Sequence, residues 1–217
     1  MIRIERKARE LGVFVAVAVS VNIEVRNSPE ELISEMRSLK ERAKGEELTT
    51  NPIVRAYRDF YWRIGLDPTK VRPSGEALRR RLTRGKDLPS INNVVDSGNL
   101  VSAETLVPIG LYDLDKVKGE LRITLSEGGE KFDPLGAKGE VTLSQGIPIM
   151  RDDEKVVHLY PHRDSVHTSI SSSTHKVLIV AAGVSGVPRE IVSAACKLVL
   201  TYLSKYCSGS GSETEVI

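Results

Sequence analysis

Arg163-Asp164-Ser165-Val166-His167-Thr168 holds more chemically capable side chains than any other short window of this chain. On an extended strand, residues 163, 165 and 167 share one face and 164, 166 and 168 the other, so Arg163, Ser165 and His167 are expected to point together. A serine beside a histidine admits a nucleophile and its base. Ser165 lacks the strained elbow motif, however, and no acid is marked by spacing as the third group. A second constellation, Asn92, Asn93, Asp96 and Asn99, flanks the apolar pair Val94 and Val95. An amide offers both donor and acceptor, so these groups can orient an ester carbonyl, a water or a ribose hydroxyl. The same residue types also cap helices and shape turns.

The third candidate is electrostatic. Between residues 52 and 90 there are ten basic side chains (55, 58, 63, 70, 72, 79, 80, 81, 84, 86) against four acids (59, 67, 76, 87), a local excess of about +6 in a chain of formal charge +2. Arg72, Arg79, Arg80, Arg81, Arg84 and Lys86 are the candidate phosphate contacts, since cations neutralise phosphates without reading sequence. The competing reading is a solvated helix face. Tyr57, Phe60 and Tyr61 have core spacing rather than that of a stacking platform.

The histidines at 158, 162, 167 and 175 cluster without a paired CxxC, an HExxH or a carboxylate set, and neither a metal nor a cofactor is expected. Cys196 and Cys207, eleven residues apart on one expected helix, would be separated by about 16 Å. A disulfide needs Cα atoms about 4.4–6.8 Å apart, so free thiols and a cytoplasmic setting are expected. Leu11–Val21 is apolar and follows four basic residues. Glu5 and Glu10 interrupt that basic region, and the run is too short for a bilayer, so it reads as a buried strand and no membrane partner is expected.

The elements that must position these groups follow from periodicity. A strand over 13–25 leads to a helix started by Ser28-Pro29-Glu30-Glu31 and ended at Gly45. A helix is expected over 52–64, and another from Ser74, taken as its cap, through Leu82. Residues 91–101 admit either a short helix or a strand with a turn, and Pro108-Ile109-Gly110 reads as a turn. Strands are expected at 120–126, 139–144, 147–151, 156–160 and 176–183, then a helix over 188–207 and a flexible Ser/Gly tail over 208–217. The 217 residues suffice to bury about 70% of the unfolded surface. One domain is expected over 1–207, with a strand–helix part over 1–50, a core over 51–185 and the terminal helix over 186–207.

Four segments, 57–65, 70–82, 88–96 and 106–115, occur in an order and spacing that resemble the B3/B4 domain, the editing module in the β subunit of phenylalanyl-tRNA synthetase. The likeness continues through Gly129-Glu130 and Gly139-Glu140 to Arg163-Asp164-Ser165 and Thr168. It implies an α+β fold with a mixed, largely antiparallel sheet flanked by helices. It also implies hydrolysis of a mischarged aminoacyl-tRNA by a positioned water; the sequence shows no nucleotide-binding motif, class II catalytic core or anticodon-binding extension, so aminoacylation is not expected. On that resemblance Asp96, Asn99 and Arg163 are the expected catalytic residues. Asn93, Gly98, Gly110, Ser165, His167 and Thr168 are the expected pocket, and the acceptor end of tRNA is the partner on the basic helix. The family's Asp-x-Thr-Asn-Tyr-Val stands here as Asp96-Ser97-Gly98-Asn99-Leu100-Val101, and its Pro-x-His as Pro108-Ile109-Gly110. A different amino acid from tyrosine is therefore implied. A non-catalytic RNA-binding module on the same scaffold is the alternative, as is a small-molecule hydrolase or ligand-binding protein. An apolar sheet edge would admit a homodimer.

Overall fold

The computed structural model describes residues 2–137 and 139–217. In chain order the elements are β1 (Ile2–Ile4), α1 (Arg6–Glu10), β2 (Phe14–Val21), α2 (Glu30–Ala43), α3 (Pro52–Arg63), α4 (Ser74–Thr83), α5 (Asn93–Thr105), β3 (Ile109–Asp113), β4 (Leu121–Leu125), β5 (Lys131–Phe132), β6 (Val141–Thr142), β7 (Pro148–Arg151), β8 (Val156–Leu159), β9 (Arg163–Asp164), β10 (Val177–Gly183), α6 (Arg189–Tyr206), β11 (Ser210–Gly211) and β12 (Glu215–Val216).

Two five-stranded sheets carry the fold: β1-β4-β7-β8-β9, and β11-β2-β10-β3 with β12 also on β2. Among the described residues only β1 and β4 pair in parallel; the other pairings are antiparallel. The fold is thus α+β with a mixed, largely antiparallel framework. Every residue of β10 is buried. That accounts for its unbroken Val-Leu-Ile-Val-Ala-Ala-Gly sequence, because a strand covered on both faces has no polar side to alternate with. Helix α6 covers β2 and β10 with Val192, Ala195, Cys196, Val199 and Leu203.

Helix starts follow local chemistry. Asn51 caps α3 by accepting from the backbone N–H of Ile53 at 2.9 Å and Val54 at 3.4 Å, with Pro52 in the first turn. Tyr57, Phe60 and Tyr61 are fully buried, and the Tyr57 hydroxyl donates to the Ala182 carbonyl at 2.6 Å, so these aromatics are core. Trp62 alone of that run is exposed, at 59%. Neither Ser28 nor Ser74 caps its helix through its side chain. The Ser28 hydroxyl instead donates to Asp96 across 68 residues of chain.

Of the two alternatives for 91–101 the structure has the helix, which starts at Asn93: Asn92 caps α5 by accepting from Val94 and Val95, an arrangement that favours a helix over a strand. Two further expectations are corrected. Pro108-Ile109-Gly110 is not a turn, because Gly110 lies within β3, and the reversal is made by Leu106 in a left-handed conformation (φ 64°). The Ser/Gly tail is not free. Ser212 N–H donates to the Val19 carbonyl at 2.8 Å, and Val15 and Ile217 exchange backbone bonds at 3.1 and 2.9 Å, so the tail satisfies the edge of β2 that would otherwise be open. Cys196 and Cys207 are buried free thiols, with pKa values pushed up to about 12 chiefly by burial.

Candidate functional site

A cavity of about 320 Å³ opens where α5, β3 and the segment 164–170 meet. Ile91, Val95, Ile109, Leu111, Leu135 and Ile170 make its walls apolar, and Asn92, Asn99, Tyr112, Asp164, Ser165 and Thr168 supply the polar groups. An apolar cleft with few convergent polar groups is the usual form of a small-ligand site. Ile91 and Leu135, both exposed, stand at its mouth.

Asp164 is the carboxylate of this cavity. Its Oδ1 accepts from the Tyr112 hydroxyl and pairs with His158 Nδ1, each at 2.8 Å, while Oδ2 has no hydrogen-bond partner among the described residues. Burial first, and then the Asp164 charge, raise the Tyr112 pKa well above that of a free phenol, so its hydroxyl stays protonated and donates. Thr168 is fully buried, lines the cavity, and its Oγ1 has no partner. An unpaired buried hydroxyl costs about 1–3 kcal/mol, and this one sits within the cavity wall.

The glycines set the wall spacing. A Cβ on Gly98 would meet Leu111 Cδ1 at 2.7 Å, so its absence lets β3 close onto α5. A Cβ on Gly110 would collide with the Tyr112 hydroxyl and meet ring Cζ at 2.7 Å. Gly110 therefore stands behind the Tyr112 ring and does not line the cavity.

Of the expected catalytic residues, Asn99 faces the cavity. Arg163 stands on the rim, exposed, with Nη1 donating to the Leu135 carbonyl at 3.3 Å. Asp96 lies behind the wall, fully buried, accepting from Ser28 Oγ at 2.6 Å, Ser90 Oγ at 3.3 Å and Ile91 N at 2.9 Å. It holds the Ile91 lip in place and does not reach the cavity. Asn93 is likewise structural: its Oδ1 accepts from Arg26 N, and its Nδ2 donates to the carbonyls of Glu24 and Tyr206, each at 2.9 Å.

Ser165, Thr168 and Gly98 line the cavity. His167 does not. The strand ends at Asp164, and the Ser165 hydroxyl caps a short 3-10 turn over Val166–Thr168 by accepting from His167 N at 3.2 Å. That turn breaks the two-residue alternation and sends His167 outward to a charged depression, 3.9 Å from Asp133. Arg163, Ser165 and His167 therefore do not share a face, and the serine–histidine pair is not assembled. Asp164 and Tyr112 were missed because Asp164 falls on the opposite phase of β9 and Tyr112 lies 52 residues away in sequence.

Arg72, Arg80, Arg81, Arg84 and Lys86 line, with Lys70 and Ala77, a second depression that contains no acidic side chain. Glu76, wholly buried, anchors it from beneath: Arg58 Nε donates to it at 2.9 Å, and Arg72 and Arg80 lie 3.8 Å away. Arg79 departs from the set, since its guanidinium is bound to Glu46 at 2.6 Å and is mostly covered.

The family model of the B3/4 domain matches residues 56–208, and the chain belongs to that family. The phenylalanine–tRNA ligase β subunit of Fusobacterium nucleatum is 29% identical over 146 residues, covering 67% of this chain and 18% of that subunit. The Malacoplasma penetrans β subunit is 36% identical over 119 residues, covering 55% of this chain and 15% of its own length. The chain thus spans under a fifth of these curated relatives. An N-terminal fragment of the phenylalanyl-tRNA synthetase β subunit from Pyrococcus horikoshii superposes with a TM-score of 0.51 at 19% identity, covering 97% of this chain and 50% of that one, and it shares the fold. Among the described residues no helix is long and apolar enough to cross a membrane.

Proposed function

We propose that this chain hydrolyses a mischarged aminoacyl-tRNA ester in the cavity between α5 and β3. The observation that carries the reading is Asp164 Oδ2, without a hydrogen-bond partner among the described residues, in an apolar-walled cavity of amino-acid size that also presents Asn99 and Ser165. Asp164 accepts a proton from the attacking water, with His158 and the protonated Tyr112 holding its other oxygen in place. Thr168 and Asn99 orient the water and the ester carbonyl, and Ser165 fills the floor. Arg163 offers its remaining N–H groups to a phosphate at the rim. Asp96 acts as a positioning residue through Ile91 and Ser90, and Asn93 and Gly110 support the wall. His167 and Arg79 take no part.

The depression of Arg72, Arg80, Arg81, Arg84 and Lys86 receives the backbone of the acceptor end, because Arg72 and Arg80 share the one buried carboxylate of Glu76 while Arg81, Arg84 and Lys86 have no carboxylate partner among the described residues, and such an excess of cations favours a polyanion. The protein acts in the cytoplasm, without metal or cofactor; a homodimer is neither required nor built into the cavity. The test is amino-acid release from a panel of correctly and incorrectly charged tRNAs. Selective release from mischarged members is expected. Salt-sensitive tRNA binding with no release from any member would replace this reading with that of an RNA-binding module.

A further inference from the structure

One edge of α3 joins the basic depression to the rim of the cavity. Arg58 Nε donates to the buried Glu76 at 2.9 Å, and Glu76 lies 3.8 Å from Arg72 and Arg80, which line the depression. Tyr61, about 60° round the helix from Arg58, packs edge-on to His162 with ring centroids 6.0 Å apart, next in sequence to Arg163 at the rim. Trp62 stands at the same edge. It falls about 40° from Arg58, and helical side chains lean toward the N-terminus, so its ring covers the Arg58 turn. Trp62 is 59% exposed, and among the described residues no other Phe, Tyr or Trp is exposed. A lone exposed apolar side chain is ordinary; an exposed indole between two cationic groups is not. No guanidinium is stacked on it among the described residues, since neighbouring Arg63 lies over Phe60 instead, 5.6 Å from the ring centroid. The exposed carboxylate of Asp59, on the solvent side of the same turn, opposes a phosphate over the indole. A neutral base is therefore the part of a nucleotide that suits this ring.

Resting on the RNA-binding part of the reading above and not on hydrolysis, we propose that Trp62 is a stacking platform, outside the cavity, for an unpaired base of RNA whose flanking phosphates lie on the arginines to either side. The ligand class is single-stranded RNA, because a base within a duplex is stacked on its own neighbours and has no free face for an indole. Stacking uses the π-face that every base has, so the site tolerates any sequence. The arginines supply the salt-dependent part of the affinity. Trp62 thus selects an unpaired strand over a duplex, a choice that phosphate contacts alone do not make.

Trp62 is the one tryptophan of the chain, so its own emission reports the contact. The probes are a hexaribonucleotide of uridine, a ribose-phosphate oligomer of the same length without bases, and a blunt A–U duplex. The single strand is expected to quench the emission, whereas the abasic oligomer and the duplex bind by charge and leave it unchanged. Trp62→Ala is expected to weaken binding of the hexaribonucleotide ~10-fold, the equivalent of about 1.4 kcal/mol, with the salt slope unchanged; Trp62→Phe should recover most of that loss. Quenching by all three probes alike would overturn the inference, as would no binding of the single strand, or a Trp62→Ala protein that binds it as tightly as wild type. Unchanged emission with the single strand bound would overturn it too, and would leave the indole to a protein partner. The hydrolase reading fails separately: if the hexaribonucleotide quenches Trp62 but no charged tRNA is deacylated, the stacking platform stands and catalysis does not.

Discussion

Replacing Gly110 by alanine places a methyl group against the back of Tyr112. The new Cβ would collide with the hydroxyl and lie 2.7 Å from Cζ and 2.8 Å from Cε2, inside any ordinary carbon contact. Tyr112 is 1% exposed and cannot swing into solvent without opening the wall, so the ring must shift and the bond to Asp164 at 2.8 Å must lengthen or break. Overpacking of this kind costs about 1–3 kcal/mol, and losing a hydrogen bond to a charged group about 1.5–3 kcal/mol. Gly110→Ala should therefore destabilise by about 2.5–6 kcal/mol, on the sum of those two effects. Tyr112→Phe removes only the bond and the clashing oxygen. Urea unfolding of the two single variants and the double variant forms a cycle in which the double should be less unstable than the sum by at least about 1 kcal/mol, since the two sites share one contact. The midpoints should move without a change in slope. Strict additivity, or a Gly110→Ala protein as stable as wild type, would refute the view that Gly110 exists to seat Tyr112 against Asp164.

The His162 ring packs edge-on to Tyr61, and burial, followed by His158 and Arg163, pulls its pKa down to about 4. The unfolded chain takes up a proton near pH 6.5 that the folded chain refuses until about 4. Stability should thus fall as pH drops through that window, by up to about 3 kcal/mol, and His162→Gln should remove most of that slope in paired urea titrations; an equal slope in both proteins would contradict it. Reversing Arg81, Arg84 and Lys86 to glutamate should weaken tRNA binding and reduce the log–log salt slope by about 2–3, whereas Arg79→Glu should leave the slope unchanged; equal effects at both sites would show that the Glu46 pairing does not matter. Truncation after Gly209 removes the strands that cover β2 and should lower the urea midpoint and produce concentration-dependent association at the bare edge. A monodisperse truncated protein of unchanged midpoint would contradict that role for the tail.

Much of the scaffold was legible because single-element physics decides it. The helix start at Pro52, the Tyr57/Phe60/Tyr61 core face and the apolar run of β10 each follow from local pattern alone. The site was legible only as a neighbourhood. Asn99, Gly98, Ser165 and Thr168 were found and do line the cavity, but the reading that grouped Arg163, Ser165 and His167 assumed a strand longer than two residues. A serine hydroxyl bonding two residues ahead ended that strand, and alternation along a sequence carries no sign of such a cap. Asp96 was expected to be catalytic on the family resemblance. Its bonds to Ser90 and Ile91 are local, but its bond to Ser28 depends on chain folding back from 68 residues away. The tail's composition matched a flexible linker, and its order comes from the vacant edge of β2, a tertiary opportunity outside the segment itself.

The most direct test of the central claim is single-turnover release of amino acid from mischarged tRNA, with Asp164→Asn beside wild type at saturating protein. Because asparagine keeps the shape of the site but cannot take the proton, the account predicts a rate lower by about 10²-fold or more with tRNA affinity unchanged. A rate equal to wild type would contradict it.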